Sequence, residues 1–472
     1  MFLNLDRHDP GKTAVKDDSG MELTYGELVG VIEEFGKLEL GRSVIFCLCE
    51  NRAGSLAGYL AFINNRQVPL LLGAGLDKEL RERLDDIYTP AYYWTPQEKA
   101  DGIKGESIYS FGGYELIRTS HEPYPVHEEL SMLLTTSGST GSPKLVRHKY
   151  GNLEANAENV AKVFGWTKHE VGICDLPMNY TMGLNVINSH LFAGAEVLPV
   201  KANLMDPDFW DFIKENKGTS FCGVPFSYEI MRRIGFDRMD LPDLKTLAEG
   251  GGRLTDRMFK WIASYAAGNG KRFCATFGTS ETSARMSFLD PSLALEKTGS
   301  IGKAIPGGEL FLADETPEED GAVTGELCYR GPNVTMGYAL TREDLLKGDE
   351  FKGEYHTGDI ARRDLEGFYY IIGRKGRFLK LFGLRVSLDE TERILKTAFP
   401  EAQFVCIGDD SRMSIFTTQE SLKEEIVPFI SDKTGLHRSA FKVFVVDEIP
   451  RNDYGKVKFA LLEELAGVKT RS

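Results

Sequence analysis

The chain has 472 residues, of which 42% are hydrophobic and 27% charged, and its formal net charge is −14. This length favours two or three domains, and the composition is typical of a soluble globular protein with a substantial core. The acidic balance argues against nucleic-acid binding and against attachment to an anionic membrane surface. Anionic ligands are not excluded, because a few basic side chains gathered in one place suffice to bind them.

The seven cysteines are scattered along the chain and form no CxxC pair. This pattern is typical of buried thiols in a reducing compartment rather than of a disulfide framework or a zinc site. The first residues show no leader with a basic segment followed by an apolar one, and no apolar run is long enough to cross a bilayer. We therefore expect a cytoplasmic protein without a membrane span.

The first half of the sequence alternates apolar runs with helical stretches. The predicted strands are residues 43–49, 131–135, 172–177, 195–200 and 219–224, and the predicted helices are residues 53–64, 152–164, 207–215 and 228–234. This alternation predicts an α/β architecture with mostly parallel sheets that are covered on both faces.

The pattern of predicted secondary structure changes twice in the second half of the sequence. From about residue 299, short strands and glycine-rich turns predict a smaller β-rich subdomain. Residues 374–385 are basic and interrupted by glycines, which predicts an exposed linker. A predicted helix (388–398), strand (403–407) and helix (422–431) follow, so we expect residues 1–373 to form a large N-terminal domain and residues 374–472 a small α+β domain.

A run of hydroxyl and glycine residues follows the strand predicted at residues 131–135. It reads Thr135-Thr136-Ser137-Gly138-Ser139-Thr140-Gly141-Ser142-Pro143-Lys144. Such a loop suits phosphate binding, since glycines let backbone N–H groups approach and Lys144 adds positive charge. It is neither a Walker A loop, because Leu145 follows the lysine, nor a G-x-S-x-G hydrolase elbow. Taken alone, it is equally consistent with a surface loop.

Five further segments follow this loop in a fixed order. They are Gly250-Gly251-Gly252, Phe277-Gly278-Thr279-Ser280-Glu281, Tyr355-His356-Thr357-Gly358-Asp359, Gly373-Arg374 continuing to Gly383 and Arg385, and Pro450 to Gly455-Lys456. With the loop, they resemble the motifs of the adenylate-forming superfamily, which includes acyl-CoA synthetases, adenylation domains and luciferases. The resemblance covers nearly the whole chain, and it implies a C-terminal domain that is mobile.

The resemblance implies ATP-dependent formation of an acyl-adenylate, with Mg²⁺ as cofactor. Its implied catalytic residues are Lys456, Glu281 and Thr136, with Glu281 as the metal ligand. The implied ATP- and AMP-binding residues are Thr136, Ser137, Gly138, Ser139, Thr140, Gly141, Lys144, Gly250, Gly251, Gly252, Phe277, Gly278, Thr279, Ser280, Asp359 and Arg374. Without the neighbouring motifs, Glu281 reads as a solvated carboxylate at a helix start and Arg374 as an exposed hinge residue.

Physical chemistry supports these implied roles. A carboxylate is a poor acyl electrophile until its oxygen is joined to phosphate, and the barrier to that step is mainly charge on phosphate oxygens. An ammonium group such as that of Lys456 stabilises this growing charge, although a lysine near a C-terminus is ordinarily a surface residue. The ionised carboxylate of Asp359 suits the ribose hydroxyls because it only accepts hydrogen bonds.

In the family, the C-terminal domain rotates after adenylation to admit a pantetheine thiol. Gly376 stands where the family usually has Asp or Lys, which leaves rotation feasible because glycine absorbs large backbone changes. Gly383 is implied to line the thiol tunnel. The acceptor is expected to be CoA, and the alternative is the phosphopantetheine arm of a separate carrier protein.

The resemblance places the acyl pocket at Tyr180, Gly183 and Phe226. Many acyl-CoA synthetases have His where this chain has Tyr180, while Asn179 with Tyr180 is similar to the arrangement in aryl-acid activators. No Asp lies between residues 178 and 197. An α-amino acid substrate is therefore disfavoured, because its buried ammonium would lack a counter-charge.

The sequence thus predicts an acid–thiol ligase, most simply an acyl-CoA synthetase. Loading of a separate carrier protein is the first alternative, and a nucleotide-binding protein without turnover is the second. An unrelated kinase or P-loop enzyme is the least favoured reading, because the Walker A loop and the kinase motifs are missing.

Overall fold

The computed structural model describes residues 1–135, 144–381, 384–409, 411–452 and 455–468. Its helices are α1 (Tyr25–Gly36), α2 (Ala53–Asn64), α3 (Lys78–Tyr88), α4 (Asn152–Phe164), α5 (Thr181–Phe192), α6 (Pro207–Glu215), α7 (Pro225–Arg233), α8 (Asp256–Gly268), α9 (Leu388–Ala398), α10 (Lys423–Thr434) and α11 (Phe459–Ala466).

The strands up to residue 277 are β1 (Thr13–Lys16), β2 (Glu22–Thr24), β3 (Val44–Cys49), β4 (Val68–Gly73), β5 (Tyr92–Pro96), β6 (Glu106–Phe111), β7 (Tyr114–Arg118), β8 (Leu130–Thr135), β9 (Leu145–Lys149), β10 (Val171–Cys174), β11 (Glu196–Pro199), β12 (Ser220–Gly223), β13 (Thr246–Glu249) and β14 (Arg272–Phe277). The later strands are β15 (Ser287–Phe288), β16 (Lys303–Ala304), β17 (Glu309–Pro317), β18 (Val323–Arg330), β19 (Tyr338–Ala339), β20 (Glu354–Arg363), β21 (Tyr369–Arg374), β22 (Phe378–Leu381), β23 (Leu384–Ser387), β24 (Phe404–Asp409), β25 (Arg412–Thr417) and β26 (Phe441–Val445).

Two large sheets carry the N-terminal part. Within the described residues, the first has the order β16-β15-β14-β13-β12-β10-β11-β1-β2 and the second the order β19-β9-β8-β4-β3-β5-β7-β6. The inner strands run parallel in both, from β14 across to β1 in the first and from β8 across to β5 in the second. The predicted α/β architecture with mostly parallel sheets is confirmed.

Helices lie between the two sheets and share one hydrophobic core with both. This core joins Cys47 and Leu71 of the second sheet to Val197 and Cys174 of the first, through buried side chains of α2, α4 and α5. α2 is apolar on all sides and almost fully buried, which suits a helix sandwiched between sheets.

Local signals explain where several helices begin. Thr24 and Glu27 form a reciprocal capping box before α1, and α6 begins at Pro207 after the Asp206 cap. The Ser387 hydroxyl accepts the amide of Glu390 at the start of α9. Four predicted helices, residues 53–64, 152–164, 207–215 and 388–398, have the bounds that the structure shows.

The β-rich subdomain expected after residue 299 is present. β17, β18, β20 and β21 form an antiparallel sheet with its own core around Leu327 and Tyr329. A small antiparallel hairpin (β22 and β23) and a three-stranded sheet (β24, β25 and β26) follow, with α9, α10 and α11.

The prediction of an exposed linker over residues 374–385 is wrong for its second half. β22 and β23 pair there, and Leu379 and Leu381 are buried in the C-terminal core. Leu379 and Leu381 are two residues apart on β22, and this spacing places both leucines on the same, inner face of the strand.

All seven cysteines are buried with free thiols, as predicted. In the described parts of the chain, no helix is long and apolar enough to cross a membrane.

Candidate active site

Three of the predicted motifs follow directly from the carboxyl ends of parallel strands. β8 ends at Thr135 before the Ser/Gly loop, β13 ends at Glu249 before Gly250, and β14 ends at Phe277 before Gly278. Ligands of open α/β sheets bind at this edge, because the strand-to-helix connections gather there. The fold therefore places the motifs after β13 and β14 side by side at one edge of the first sheet, and the Ser/Gly loop follows the carboxyl end of β8 in the second sheet.

The Gly250-Gly251-Gly252 turn is packed against the start of α5 and α7. A Cβ at position 250 would lie 2.6 Å from Met182 Cε, and one at position 252 would lie 2.9 Å from Pro225 Cγ. Gly251 has a φ of +76°, and a Cβ there would lie 2.4 Å from the Tyr180 hydroxyl. A side chain at any of these positions would have to displace a neighbour, and with glycine the turn brings bare backbone to the site.

The segment after Gly278 is folded back on itself. A Cβ on Gly278 would overlap the carbonyl oxygen of Ala284. The Ser280 hydroxyl lies 2.7 Å from that of Thr181 at the start of α5. Thr279 caps the short turn at Ser280–Thr282, and Phe277 is half-buried against the core of the antiparallel sheet.

Glu281 and Lys144 meet at Tyr338. The Tyr338 hydroxyl donates a 2.8 Å hydrogen bond to Glu281 Oε1, and Lys144 Nζ lies 3.4 Å from the centroid of the Tyr338 ring. Burial and the nearby Glu281 raise the pKa of Tyr338, so its hydroxyl keeps its proton and remains a donor. Nothing in the sequence singles out Tyr338, which is brought here by the pairing of β19 with β9.

Asp359 and Arg374 face each other across β20 and β21. They are register partners in the antiparallel sheet, and Arg374 Nε lies 3.3 Å from Asp359 Oδ1. Burial raises the pKa of Asp359 to about 6, a shift that the Arg374 guanidinium limits.

The C-terminal motif forms a tight turn that docks on α7. Arg451 and Val457 form an antiparallel bridge, and the Lys456 amide donates to Asn452 Oδ1 at 3.0 Å. Gly455 has a φ of +72°, and a Cβ there would lie 3.0 Å from Phe226 Cβ. This close approach requires glycine and sets the direction of the next residue, Lys456.

This turn places the Lys456 ammonium beside Tyr180, the residue that precedes α5. Its Nζ lies 5.4 Å from the centroid of the Tyr180 ring. Burial lowers the pKa of Lys456, while Glu281 and Asp359 act in the opposite direction. The structure therefore brings Lys456, Glu281, Asp359 and Arg374 within electrostatic reach of one another.

The three predicted acyl-pocket residues differ in exposure and in what they contact. Tyr180 is buried beneath Lys456, and Phe226 is 39% exposed and lies against Gly455. A Cβ on Gly183 would overlap the carbonyl oxygens of Leu176 and Pro177, so this glycine is required for packing α5 against the loop before it.

Lys375 joins the segment predicted as the hinge to the antiparallel sheet. Lys375 Nζ lies 2.7 Å from Glu326 Oε2, and the Lys375 amide donates to the Gly358 carbonyl at 2.6 Å. The next residue, Gly376, has no atom within 4 Å of the position that a Cβ would take. Sequence reasoning missed Glu326 and Lys375.

Some predicted site residues lie outside the described residues. They are Thr136, Ser137, Gly138, Ser139, Thr140, Gly141 and Gly383. Among the described residues, no group of three His, Cys, Asp or Glu side chains is placed to hold a metal ion. A single carboxylate such as that of Glu281 suffices for Mg²⁺, because this ion commonly takes one or two carboxylates and completes its shell with substrate phosphates and water.

Comparison with known proteins places these observations in context. Residues 74–339 match the family model of the AMP-binding enzyme, over more than half of the chain. A 2-succinylbenzoate–CoA ligase of Bacillus cereus is 28% identical over 420 residues, which cover 84% of this chain and 83% of that protein.

Solved structures share the fold. The o-succinylbenzoate CoA synthetase of Bacillus subtilis, in complex with its acyl-adenylate intermediate, superposes with a TM-score of 0.77 at 20% identity, covering 98% of this chain and 97% of the other. ATP-bound MatB from Rhodopseudomonas palustris has a TM-score of 0.74 at 21% identity, covering 98% and 99%. The fold class predicted from the motifs, a large N-terminal domain followed by a small C-terminal one, is confirmed.

Proposed function

Because the chain belongs to the AMP-binding enzyme family, we propose that it activates a carboxylic acid with ATP and transfers the acyl group to CoA. The observation that carries this proposal is the position of Lys456. A turn of the C-terminal segment holds its ammonium over Tyr180, within electrostatic reach of Glu281 and Asp359. Lys456 is half-buried, and its ammonium is desolvated enough to lower its pKa. An ammonium is desolvated at such a cost where it meets a negative charge, and the phosphates and the carboxylate of the substrates supply that charge.

In the first step, a carboxylate oxygen of the acid attacks the α-phosphorus of ATP. A new P–O bond forms, the bond to the β-phosphate oxygen breaks, and pyrophosphate leaves with that electron pair. Lys456 stabilises the charge that grows on the α-phosphate oxygens, and Thr279 or Ser280 donates a hydrogen bond to them. The residues from Thr136 to Gly141, with Lys144, hold the β- and γ-phosphates.

The nucleoside lies across the glycine turn and the antiparallel sheet. Phe277 and the backbone of Gly250, Gly251 and Gly252 border the adenine. Asp359 accepts hydrogen bonds from the ribose hydroxyls, and Arg374, 3.3 Å from its carboxylate, keeps this acceptor ionised.

Glu281 and the phosphates would hold Mg²⁺, a hard cation that prefers oxygen ligands and would neutralise phosphate charge. Tyr338 donates to Glu281 Oε1 and thereby fixes the orientation of this carboxylate.

In the second step, the CoA sulfur attacks the acyl carbon, the bond from this carbon to the phosphate oxygen breaks, and AMP leaves. We assign residues 1–373 to the adenylation domain and residues 374–472 to a lid that rotates between the steps. Two observations support this assignment: the hydrophobic clusters of the C-terminal segment include no residue before 379, and Gly376 has open space around it. Gly383 then lines the thiol path.

The choice of CoA over a carrier protein rests on the relatives, whose names state a CoA ligase activity. The acid is bound between Tyr180, Phe226 and the glycine turn. An α-amino acid is disfavoured, because residues 178–195 contain no acidic side chain to pair with its ammonium. The seven free thiols support a reducing compartment, and we place the enzyme in the cytoplasm.

The test is product formation with ATP, Mg²⁺ and a panel of carboxylic acids, in parallel reactions with CoA or with a phosphopantetheinylated carrier protein. We expect AMP and an acyl-CoA to form together. Thioester on the carrier alone would reverse the choice of acceptor, and no AMP with any acid would contradict the activity.

A further inference from the structure

A buried carboxylate lies between the ribose motif and the segment predicted as the hinge. Glu326 lies on β18 and is 8% exposed. Its Oε1 accepts a 3.1 Å hydrogen bond from the Gly358 amide, and its Oε2 accepts a 2.7 Å hydrogen bond from Lys375 Nζ. One oxygen therefore holds the turn that carries Asp359, and the other holds the residue that precedes Gly376.

The first contact compensates for an irregularity in the antiparallel sheet. Cys328 pairs with His356 and Glu326 pairs with Ile360, so two steps along β18 oppose four steps along β20. The extra residues of β20 form a bulge, and bulges re-aim side chains next to functional sites. Backbone groups in a bulge lose their partners in the ladder, and the Glu326 carboxylate supplies the acceptor that the Gly358 amide needs. Glu326 thereby fixes the turn that carries the proposed ribose acceptor.

The second contact is an ion pair that fixes the chain before the hinge. Burial disfavours the charge of Glu326, but the hydrogen bond and the charge of Lys375 oppose this effect, and the pKa of the carboxyl group is lowered. Glu326 is therefore ionised. The Lys375 amide also donates to the Gly358 carbonyl at 2.6 Å. Lys375 is thus held to the antiparallel sheet both by its side chain and by its backbone.

The residue on the other side of the glycine is held by the C-terminal elements. Arg377 Nε lies 2.5 Å from Asp389 Oδ1, and a terminal nitrogen lies 2.6 Å from Glu392 Oε1, with both carboxylates on α9. The same nitrogen donates to the Cys406 carbonyl on β24 at 3.3 Å. The Arg377 carbonyl accepts the Leu388 amide at 3.0 Å. Arg377 therefore belongs to the C-terminal domain by its side chain and by its backbone.

Gly376 is the single residue between these two anchors. Among the described residues, no atom lies within 4 Å of the position that its Cβ would take. A 2.9 Å hydrogen bond from the Arg377 amide to the Arg374 carbonyl closes the turn across it. Hinges are a few residues that absorb large changes in backbone angles, and glycine takes up such changes at low cost. The residues on the two sides of Gly376 therefore belong to different domains.

We propose that Glu326 is a positioning residue that fixes the ribose-binding turn and anchors Lys375, so that rotation of the lid is confined to Gly376. The inference rests on the proposed function, in which the lid rotates between the two half-reactions. Glu326 acts through Gly358 and Lys375 and touches no reacting atom. The two residues before Gly376 then stay with the sheet while the rest of the lid rotates.

The first experiment measures the KM for ATP in pyrophosphate exchange. Glu326→Ala removes both contacts, and its KM is expected to rise by about tenfold, because the ribose turn loses a charge-assisted hydrogen bond. Glu326→Gln keeps an acceptor oxygen for Gly358, and Lys375→Met leaves that contact intact, so both should keep the wild-type KM within about threefold. The control is Asp314→Asn, which removes an exposed carboxylate 4.0 Å from Lys375 Nζ.

The second experiment tests the confinement of the rotation by combining two substitutions. Gly376→Pro restricts the hinge and is expected to slow thioester formation from a supplied acyl-adenylate by about tenfold. Adding Lys375→Met releases the chain before the hinge, so the rate should recover by about fivefold, whereas Lys375→Met alone should stay within about threefold of the wild type. Gly376→Val, which keeps the amide, replaces Gly376→Pro where the proline variant has lost pyrophosphate exchange.

Several results would overturn the inference. A wild-type KM for ATP in Glu326→Ala removes the first task, and no recovery in the double variant removes the second. Equal losses of both half-reactions in Lys375→Met, with a lower Tm, would make the ion pair structural, and an equal effect of Asp314→Asn would assign the anchor to Asp314. Where Glu326→Ala fails to fold, the double variant decides. Absence of exchange with any acid in the wild type would contradict the proposed function itself.

Discussion

The Lys456 ammonium lies over the face of the Tyr180 ring, 5.4 Å from its centroid. The two residues come from distant parts of the chain, one from the C-terminal turn and the other from the position that precedes α5. In the proposed function, this contact places the C-terminal segment in the orientation that serves adenylation. An aromatic face is a favourable neighbour for an ammonium that awaits an anionic substrate.

Replacing Lys456 should separate the two half-reactions. Lys456→Ala is expected to lower the rate of ATP–pyrophosphate exchange by about 100-fold or more, because charge on the α-phosphate oxygens loses its main cation. Thioester formation from a supplied acyl-adenylate should be largely retained. The matched control is Lys458→Ala, which removes an exposed lysine two residues further along the chain. Loss of both half-reactions in Lys456→Ala would contradict the assigned role.

ATP binding should weaken in mild acid because of Asp359. Its pKa is raised to about 6, so the carboxylate gains a proton as the pH falls through that value and ceases to be a pure acceptor for the ribose. We expect the KM for ATP to rise below about pH 6 in the wild type. In Asp359→Asn, the KM should be high at every pH and lose this dependence. A wild-type KM that stays constant down to about pH 4 would disprove the assignment.

Gly278 should tolerate no side chain. A Cβ there overlaps the carbonyl oxygen of Ala284, so Gly278→Ala must move the turn that carries Glu281 and Arg285. We expect a loss of about 3 kcal/mol or more in the free energy of unfolding, together with loss of exchange activity. Gly268→Ala is the control, since open space surrounds that position at the end of α8. Equal stability of the two variants would refute the described packing.

The rotation proposed at Gly376 is tested by restricting its backbone. Gly376→Pro fixes φ at this position and restricts Lys375 as well. We expect pyrophosphate exchange to persist and thioester formation to slow by about tenfold or more. Gly376→Ala meets no atom within 4 Å and should behave nearly as the wild type. Thioester formation at the wild-type rate in Gly376→Pro would place the hinge elsewhere.

Local patterns in the sequence were sufficient for much of the fold. The bounds of α2, α4, α6 and α9 follow from apolar periodicity and helix-start residues, and the strand ends that carry the motifs follow from βα alternation. The linker over residues 374–385 was misjudged, because its charges outweighed the alternating Leu379 and Leu381 that pack into the C-terminal core.

The sequence predicts only those candidate site residues that lie within a recognisable motif. The motifs single out Glu281, Asp359 and Lys456, and the structure brings these three residues within electrostatic reach of one another. No motif singles out Tyr338, because its contact with Glu281 depends on the pairing of β19 with β9, two strands that are far apart in the sequence.

The most direct test of the account is acid-dependent ATP–pyrophosphate exchange by the wild-type protein, measured with Mg²⁺ and without CoA over aliphatic, aromatic, dicarboxylic and amino acids. We predict exchange that depends on a non-amino carboxylic acid and is lost in Lys456→Ala. Exchange with an α-amino acid alone, or exchange that survives Lys456→Ala, would contradict it.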